Sequence, residues 1–218
     1  RTTLEYLRLA YLADMSKYVM NASESTKITA VYESIPRQLA KENPKFKYKE
    51  IKSTAVKRDY YGPIDWLKSS GMIIKINKIE TAAMPLKAYE EESSFKIYMS
   101  DVGLLSDICG IRPNDLLAET HNIYKGAVIE NYVVTQLVTR YNNLYFYKPS
   151  NSMEIDLVID IDGHTIPVEI KSGRHKSSKS LKNYIEKNTP EYAIRISEHN
   201  FGYVDDIKSV PLYAAYCI

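Results

Sequence analysis

Met153-Glu154-Ile155-Asp156-Leu157-Val158-Ile159-Asp160-Ile161-Asp162-Gly163-His164-Thr165-Ile166-Pro167-Val168-Glu169-Ile170-Lys171 is the stretch that decides the fold of this chain. Two strand-like runs flank Asp162-Gly163, a dipeptide suited to a two-residue type I′ hairpin because both turn positions tolerate positive φ. With that turn, facing residues have numbers that sum to 325, as those of Asp162 and Gly163 do. Asp156 then faces Glu169, and Glu154 faces Lys171. Strand side chains alternate, so these four share one face, and Ile155, Leu157, Ile159, Val168 and Ile170 share the other. Two carboxylates set opposite each other repel unless positive charge lies between them. A divalent cation meets that need, and Lys171 beside it has the chemistry of a general base or charge stabiliser. The alternative is the solvated face of a two-faced antiparallel sheet, where charged residues on alternate positions simply meet water.

The segment before the hairpin bears on that choice. Tyr124 to Tyr141 reads as a helix, with Glu130 at the head of an apolar stripe of Val133, Val134, Leu137, Val138 and Tyr141. A carboxylate on a core-facing stripe is costly unless protonated, hydrogen-bonded or metal-linked. A backbone cap or an ion pair with a lysine such as Lys171 would also satisfy it. Strands are expected at Asn143 to Lys148, Glu154 to Ile161 and Thr165 to Ser172. Ser177 or Ser178 can cap a helix with the stripe Leu181, Tyr184 and Ile185, closed by Pro190. Tyr192 to Ile196 reads as a fourth strand and Val210 to Cys217 as a fifth.

The order is a helix carrying Glu, a strand, a strand carrying Asp, and a strand carrying Glu-x-Lys. It resembles the PD-(D/E)XK, or restriction-endonuclease-like, fold, and within it the archaeal Holliday-junction resolvases. The resemblance implies metal ligation by Glu130, Asp156 and Glu169, with Mg²⁺ or Mn²⁺ as the ion. It also implies that Lys171 orients or deprotonates the attacking water, making Glu130, Asp156, Glu169 and Lys171 the catalytic set. A second resemblance covers nearly the whole chain. It is carried by Phe95-Lys96-Ile97-Tyr98-Met99-Ser100-Asp101-Val102-Gly103-Leu104-Leu105, Gly126 with Glu130-Asn131, Glu154-Ile155-Asp156, Glu169-Ile170-Lys171-Ser172-Gly173 and Val210-Pro211-Leu212-Tyr213. Ile35-Pro36-Arg37-Gln38-Leu39-Ala40 and Pro85-Leu86 fit its middle region. These motifs are similar to the C-terminal region of bacterial and archaeal AAA-type ATPases that end in a nuclease-like domain of unknown function. An upstream ATPase domain of the same full-length chain is the partner this implies.

Composition sets wider limits. At 218 residues the chain has room for two modest domains, and 44% hydrophobic with 26% charged residues is ordinary for a globular protein. No apolar run approaches a membrane span and no signal peptide is visible, so the cytoplasm is the expected compartment. Cys109 and Cys217 are far apart, and the four histidines are scattered, which argues against a zinc site. None of the eight glycines belongs to a Gly-x-x-x-x-Gly-Lys-[Ser/Thr] loop, so this polypeptide is not expected to hydrolyse ATP, which belongs to the upstream domain. The start at Arg1, without an initiator Met, reads as a fragment. No internal repeat or low-complexity tract interrupts it.

The first half reads as helical. Leu4 to Met20 has the stripe Leu4, Leu7, Tyr11, Met15 and Tyr18. Ser25 or Thr26 can cap a second helix with Ile28, Val31, Tyr32, Ile35 and Leu39 inward. Thr54 can cap a third, kinked at Gly62-Pro63 and ended by Gly71. Met72 to Ile76 and Phe95 to Met99 read as a ribbon around a polar loop with Glu90, Glu91 and Glu92, and a helix follows from Asp101 to Ile108. Helices followed by a ribbon suggest a winged-helix-like domain over 1–112, then a nuclease-like αβββαβ domain with a mixed central sheet over 113–218. The fold class is therefore α/β in the mixed, α+β sense. Residues 1–112 carry 18 Lys and Arg against 14 Asp and Glu, a net of +4; residues 113–218 carry 11 against 13, a net of −2. Lys45, Lys47, Lys49, Lys52, Lys57 and Arg58, with Lys41 ahead of them, form a basic stretch suited to DNA phosphates or to a solvated surface. Arg174 and Lys176, in a polar loop after the hairpin, offer the same contact.

The expectation is a metal-dependent nuclease domain acting on DNA. A catalytically silent module that binds DNA or protein and regulates the ATPase is the alternative, and self-association through this region is a third reading.

Overall fold

A computed structural model describes residues 2–19, 21–41, 44–117, 123–150, 153–173 and 179–218. The chain forms two compact units, one from Arg1–Lys75 and Ile97–Asn131, the other from Ile76–Lys96 and Tyr132–Ile218. The architecture is mixed α/β with a mixed eight-stranded sheet. Among the described residues no helix is long and apolar enough to cross a membrane.

The first unit is built on helices α1 (Thr2–Lys17), α2 (Ala22–Leu39) and α3 (Lys57–Ser69), with α4 (Val102–Ile108) and α5 (Pro113–Leu117) later in the chain. Helix α2 buries Ile28, Val31, Tyr32, Ile35 and Leu39, as its periodicity predicts. Its cap is Asn21 rather than Ser25 or Thr26: Asn21 is extended and accepts a hydrogen bond from the Ser23 amide at 2.9 Å. Helix α3 starts at Lys57 without a side-chain cap, three residues after the expected Thr54. It ends on Gly71 at φ 72°, where the Met72 amide bonds the Leu67 carbonyl and the Gly71 amide the Lys68 carbonyl. That is a Schellman closure, which needs a left-handed residue.

Helix α1 departs from the expected stripe. Leu7 is 45%, Tyr11 42% and Tyr18 77% exposed, and of the five expected positions only Met15 is buried. Leucine and tyrosine occur around the whole helix, so hydrophobicity alone leaves its phase undefined. An ion pair helps set it: Arg8 turns inward to Asp107, with Nε 3.2 Å from Oδ2.

Most of the sheet lies in the second unit, with residues 73–75 and 97–99 of its first two strands in the first. The strands are β1 (Ile73–Ile79), β2 (Glu90–Met99), β3 (Tyr145–Ser150), β4 (Met153–Ile161), β5 (His164–Ile170), β6 (Ala193–Ser197), β7 (Gly202–Val204) and β8 (Ile207–Pro211). Their order is β2-β1-β3-β4-β5-β6-β8-β7, with β1/β3, β5/β6 and β6/β8 parallel. Strand β1 pairs with β3, Asn77 opposite Tyr145, so the β1–β2 ribbon is part of this sheet rather than a free-standing wing. Glu90, Glu91 and Glu92, expected in a loop, open β2. The expected fifth strand is instead β8 followed by a 3₁₀ helix from Leu212 to Cys217, because Pro211 ends the ladder. Strand β7 was not expected from sequence; its turn to β8 is Asp205-Asp206, both at positive φ.

The β4–β5 hairpin matches its expected register. Leu157 faces Val168 and Ile161 faces His164, and Asp162 and Gly163 have φ of 53° and 83°. Helix α6 (Lys125–Leu137) buries Val133, Val134 and Leu137. Helix α7 (Lys179–Asn188) packs Leu181 and Tyr184 into a core with Tyr147, Ile155, Val158 and Ala193. Its suggested caps, Ser177 and Ser178, lie outside the described residues.

Candidate active site: a carboxylate pair on the β4–β5 hairpin

Strands β4 and β5 lie in the interior of the sheet, β4 between antiparallel neighbours and β5 between antiparallel β4 and parallel β6. Ile166, Pro167, Val168, Glu169 and Ile170 are buried in succession. Glu169 is only 3% exposed, so its face of the hairpin is not the solvated face of the alternative reading. A buried carboxylate has to be met by positive charge or donors.

One oxygen is met. Lys171, two residues on and so on the same face, places Nζ 2.7 Å from Glu169 Oε1. The other oxygen, Oε2, is buried without a hydrogen-bond partner among the described residues. Asp156 comes next after the Leu157–Val168 pair and so stands across from Glu169. The Ile170 amide donates to Asp156 Oδ2 at 2.8 Å, which fixes the carboxylate at the end of the β4–β5 ladder. Hairpin register thus brings Asp156, Glu169 and Lys171 to one end of the β4–β5 pair in one unit.

Glu154, the fourth charged residue of that face, has a different role from the one its position suggests. Its partners are Lys96 at 2.8 Å and Lys148 at 2.6 Å, not Lys171. Lys96 is 1% exposed, and its ammonium stands 5.1 Å from the centre of the Phe146 ring. Burial pushes the Glu154 carboxyl up, but the two ammonium groups together hold it below the ordinary carboxylate range. Glu154 is a structural ion-pair centre.

Glu130 belongs to the other unit. It is half-buried rather than fully inward, and the buried Tyr98 hydroxyl donates to its Oε1 at 2.5 Å. The adjacent Asn131 is fully buried and clamps Met99, donating to its carbonyl and accepting from its amide, both at 2.8 Å. The Glu130-Asn131 pair therefore ties α6 to β2.

In the basic stretch, Lys47, Lys49, Lys52, Lys57 and Arg58 are exposed and Lys45 is half-buried. Lys41 pairs with Glu50 at 2.6 Å, and Arg37 donates to the Glu50 carbonyl. Arg174 and Lys176 lie outside the described residues.

Sequence reasoning passed over Arg195, Lys96 and Lys148. Arg195 stands opposite Glu169 in the β5–β6 register, and its Nε lies 3.9 Å from Glu169 Oε2. Two of the three carried a legible signal: Arg195 in Ala193-Ile194-Arg195-Ile196 and Lys96 in Phe95-Lys96-Ile97 are single charges inside apolar strands.

The donor set fits a hard divalent cation. Asp156 and Glu169 offer carboxylate oxygens, and Glu169 Oε2 accepts no hydrogen bond from the described residues. Among the described residues no three or more His, Cys, Asp or Glu side chains gather as a metal-binding group. Mg²⁺ commonly takes one or two protein carboxylates and completes its shell with water and phosphate, so two such ligands suit it.

Comparison with known proteins returns families without an assigned activity. The model for "Domain of unknown function (DUF4143)" matches residues 125–215, and that for "Domain of unknown function (DUF8612)" matches residues 1–115. The chain is similar to uncharacterized protein Mb2031c of Mycobacterium bovis and uncharacterized protein Rv2008c of Mycobacterium tuberculosis, 32% identical to each over 126 residues. Those alignments cover 56% of this chain and 28% of each relative, so the chain spans under a third of the length of the curated relatives it matches. No solved structure matches. With 1–115 covering more than half of its 218 residues, the chain belongs to the DUF8612 family of unknown function.

Proposed function

We infer that the second unit carries a Mg²⁺- or Mn²⁺-dependent phosphodiesterase centre of the restriction-endonuclease-like type, acting on DNA as part of a longer AAA-type ATPase. The observation that carries this reading is Glu169: buried, bonded to Lys171 through one oxygen, and presenting the other unsatisfied on the face it shares with Asp156. A structural carboxylate in the same sheet, Glu154, has cations on both oxygens. Asp156 and Glu169 are the proposed metal ligands.

Each residue has a definable task. Bound here, the cation would polarise a phosphoryl oxygen and acidify its water. The Ile170 amide orients the Asp156 carboxylate through Oδ2. Lys171 holds Glu169 through Oε1 and carries further donors that can orient a water or neutralise a phosphate oxygen. The exposed Lys47, Lys49, Lys52, Lys57 and Arg58 supply sequence-independent attraction to a phosphate backbone. The helices of the first unit are the part compared with a winged helix; β1–β2 is not proposed as its wing.

The test is cleavage of supercoiled DNA with Mn²⁺ or Mg²⁺, by wild type and Glu169→Ala. Metal-dependent nicking that vanishes in the folded variant supports the reading, and nicking that survives it refutes the site. One observation favours the second reading, a silent module for DNA or protein binding. Lys171 already meets one oxygen of Glu169, and Arg195 adds a second cation, so the fold tolerates its buried charge with no metal.

A further inference from the structure

Arg195 holds an unusual position. It is the only charged residue of β6, and strand register sets it opposite Glu169 on one side and Ser209 of β8 on the other. A guanidinium that serves only to neutralise a buried carboxylate closes on it at about 2.7–2.9 Å, commonly with two parallel bonds. Here Nε stops 3.9 Å from Oε2, and neither atom has a hydrogen-bond partner among the described residues.

Neutralisation accounts for its charge but not for its spacing from Glu169. Lys171 already contacts Glu169 at 2.7 Å. Counting Asp156 and Glu169 as −2 against Lys171 and Arg195 as +2, the four side chains sum to zero. Each cation added to that set makes it a site for an anion. The Arg195 side chain is 26% exposed against 4% for Glu169, while its Nε is buried, so a ligand would reach it through the remainder of the fork.

We propose that Arg195 is the phosphate anchor of this site: strand register places its guanidinium beside Glu169, where the outer nitrogens of the fork bind a non-bridging oxygen of a DNA phosphodiester. The proposal rests on the phosphodiesterase reading for its substrate class, but it concerns binding and is measurable without turnover. An arginine suits the task because its planar fork matches phosphate geometry, which a lysine ammonium does not.

The test uses the 218-residue chain and its Arg195→Gln and Arg195→Lys variants. A short labelled DNA duplex is titrated by fluorescence anisotropy in Ca²⁺ buffer over a range of salt, with strand integrity checked afterwards. Thermal melting, Mn²⁺ calorimetry and nicking of supercoiled DNA are measured in parallel. Arg195→Gln is expected to weaken duplex binding about tenfold or more and to lower the salt dependence by about one phosphate contact, with the Mn²⁺ isotherm retained. Arg195→Lys keeps the charge beside Glu169, so it should melt with wild type yet bind the duplex more weakly for want of the fork.

If Arg195→Gln fails to fold, Arg195→Lys decides: wild-type affinity in that variant overturns the proposal. So does Arg195→Gln binding with wild-type affinity and salt slope, or a wild-type chain that binds no duplex. If wild type binds the duplex in an Arg195-dependent way but cuts nothing with any metal, the anchor stands and the phosphodiesterase reading falls.

Discussion

Glu154→Gln should destabilise the second unit strongly, although Glu154 lies on the same strand face as the candidate site. Its two oxygens hold Lys96 at 2.8 Å and Lys148 at 2.6 Å, and Lys96 is 1% exposed. Removing the negative charge leaves a buried ammonium uncompensated, a change that costs about 3–5 kcal/mol. Glu154 retains 21% side-chain exposure, and glutamine still accepts one hydrogen bond, so the lower end, about 3 kcal/mol, applies. For a chain of this size that is a melting shift of about 6–12 °C.

The pH dependence identifies the cause. Glu154 is held below its ordinary value of 4.5 in the folded protein, so the unfolded chain binds the proton first as pH falls. The stabilisation is therefore complete above the ordinary carboxylate range and lost as pH falls through the folded value. The gap between wild type and Glu154→Gln should be full at neutral pH and close on acidification. Asp156→Asn is the control. It relieves repulsion against Glu169 and keeps an acceptor for the Ile170 amide, so it should cost under about 1 kcal/mol. Urea unfolding followed by circular dichroism measures all three proteins. Glu154→Gln within about 1 kcal/mol of wild type, or less destabilising than Asp156→Asn, would refute the division of this face into a structural carboxylate and site carboxylates.

Asn131→Ala removes both hydrogen bonds to Met99 from a fully buried position and should cost about 2–4 kcal/mol in urea unfolding; a loss under about 1 kcal/mol would contradict the clamp. The two thiols should react at different rates. Burial pushes Cys109 up to about 11, leaving about one part in a thousand as thiolate at pH 8, whereas Cys217 is exposed. A disulfide reagent at that pH should label one thiol quickly and the other slowly in the folded chain, and two equal fast phases would contradict it.

The hairpin was legible because its signal is local. Asp162-Gly163 favours positive φ at both positions, and alternation then fixes which side chains share a face. Asp205-Asp206 makes the same kind of turn without glycine, so β7 left no comparable mark. The failure at α1 has another cause: an apolar surface around the whole helix has no phase, and the ion pair from Arg8 to Asp107 comes from a residue far along the chain. For the candidate site, register predicted that Asp156 faces Glu169 and that Lys171 shares their face. It gave no sign that Glu169 is buried, because burial depends on what covers a strand. Nor did it show that Glu154 would be claimed by Lys96 and Lys148, or that Arg195 would stand beside Glu169. Those are long-range consequences of the strand order β2-β1-β3-β4-β5-β6.

The most direct test of the central claim is calorimetric titration of Mn²⁺ and Mg²⁺ into wild type and Asp156→Ala, each verified as folded. A cation bound between Asp156 and Glu169 predicts a saturable heat in wild type that the variant loses. Wild-type protein that binds neither ion, or a variant that binds as wild type does, would contradict the metal site.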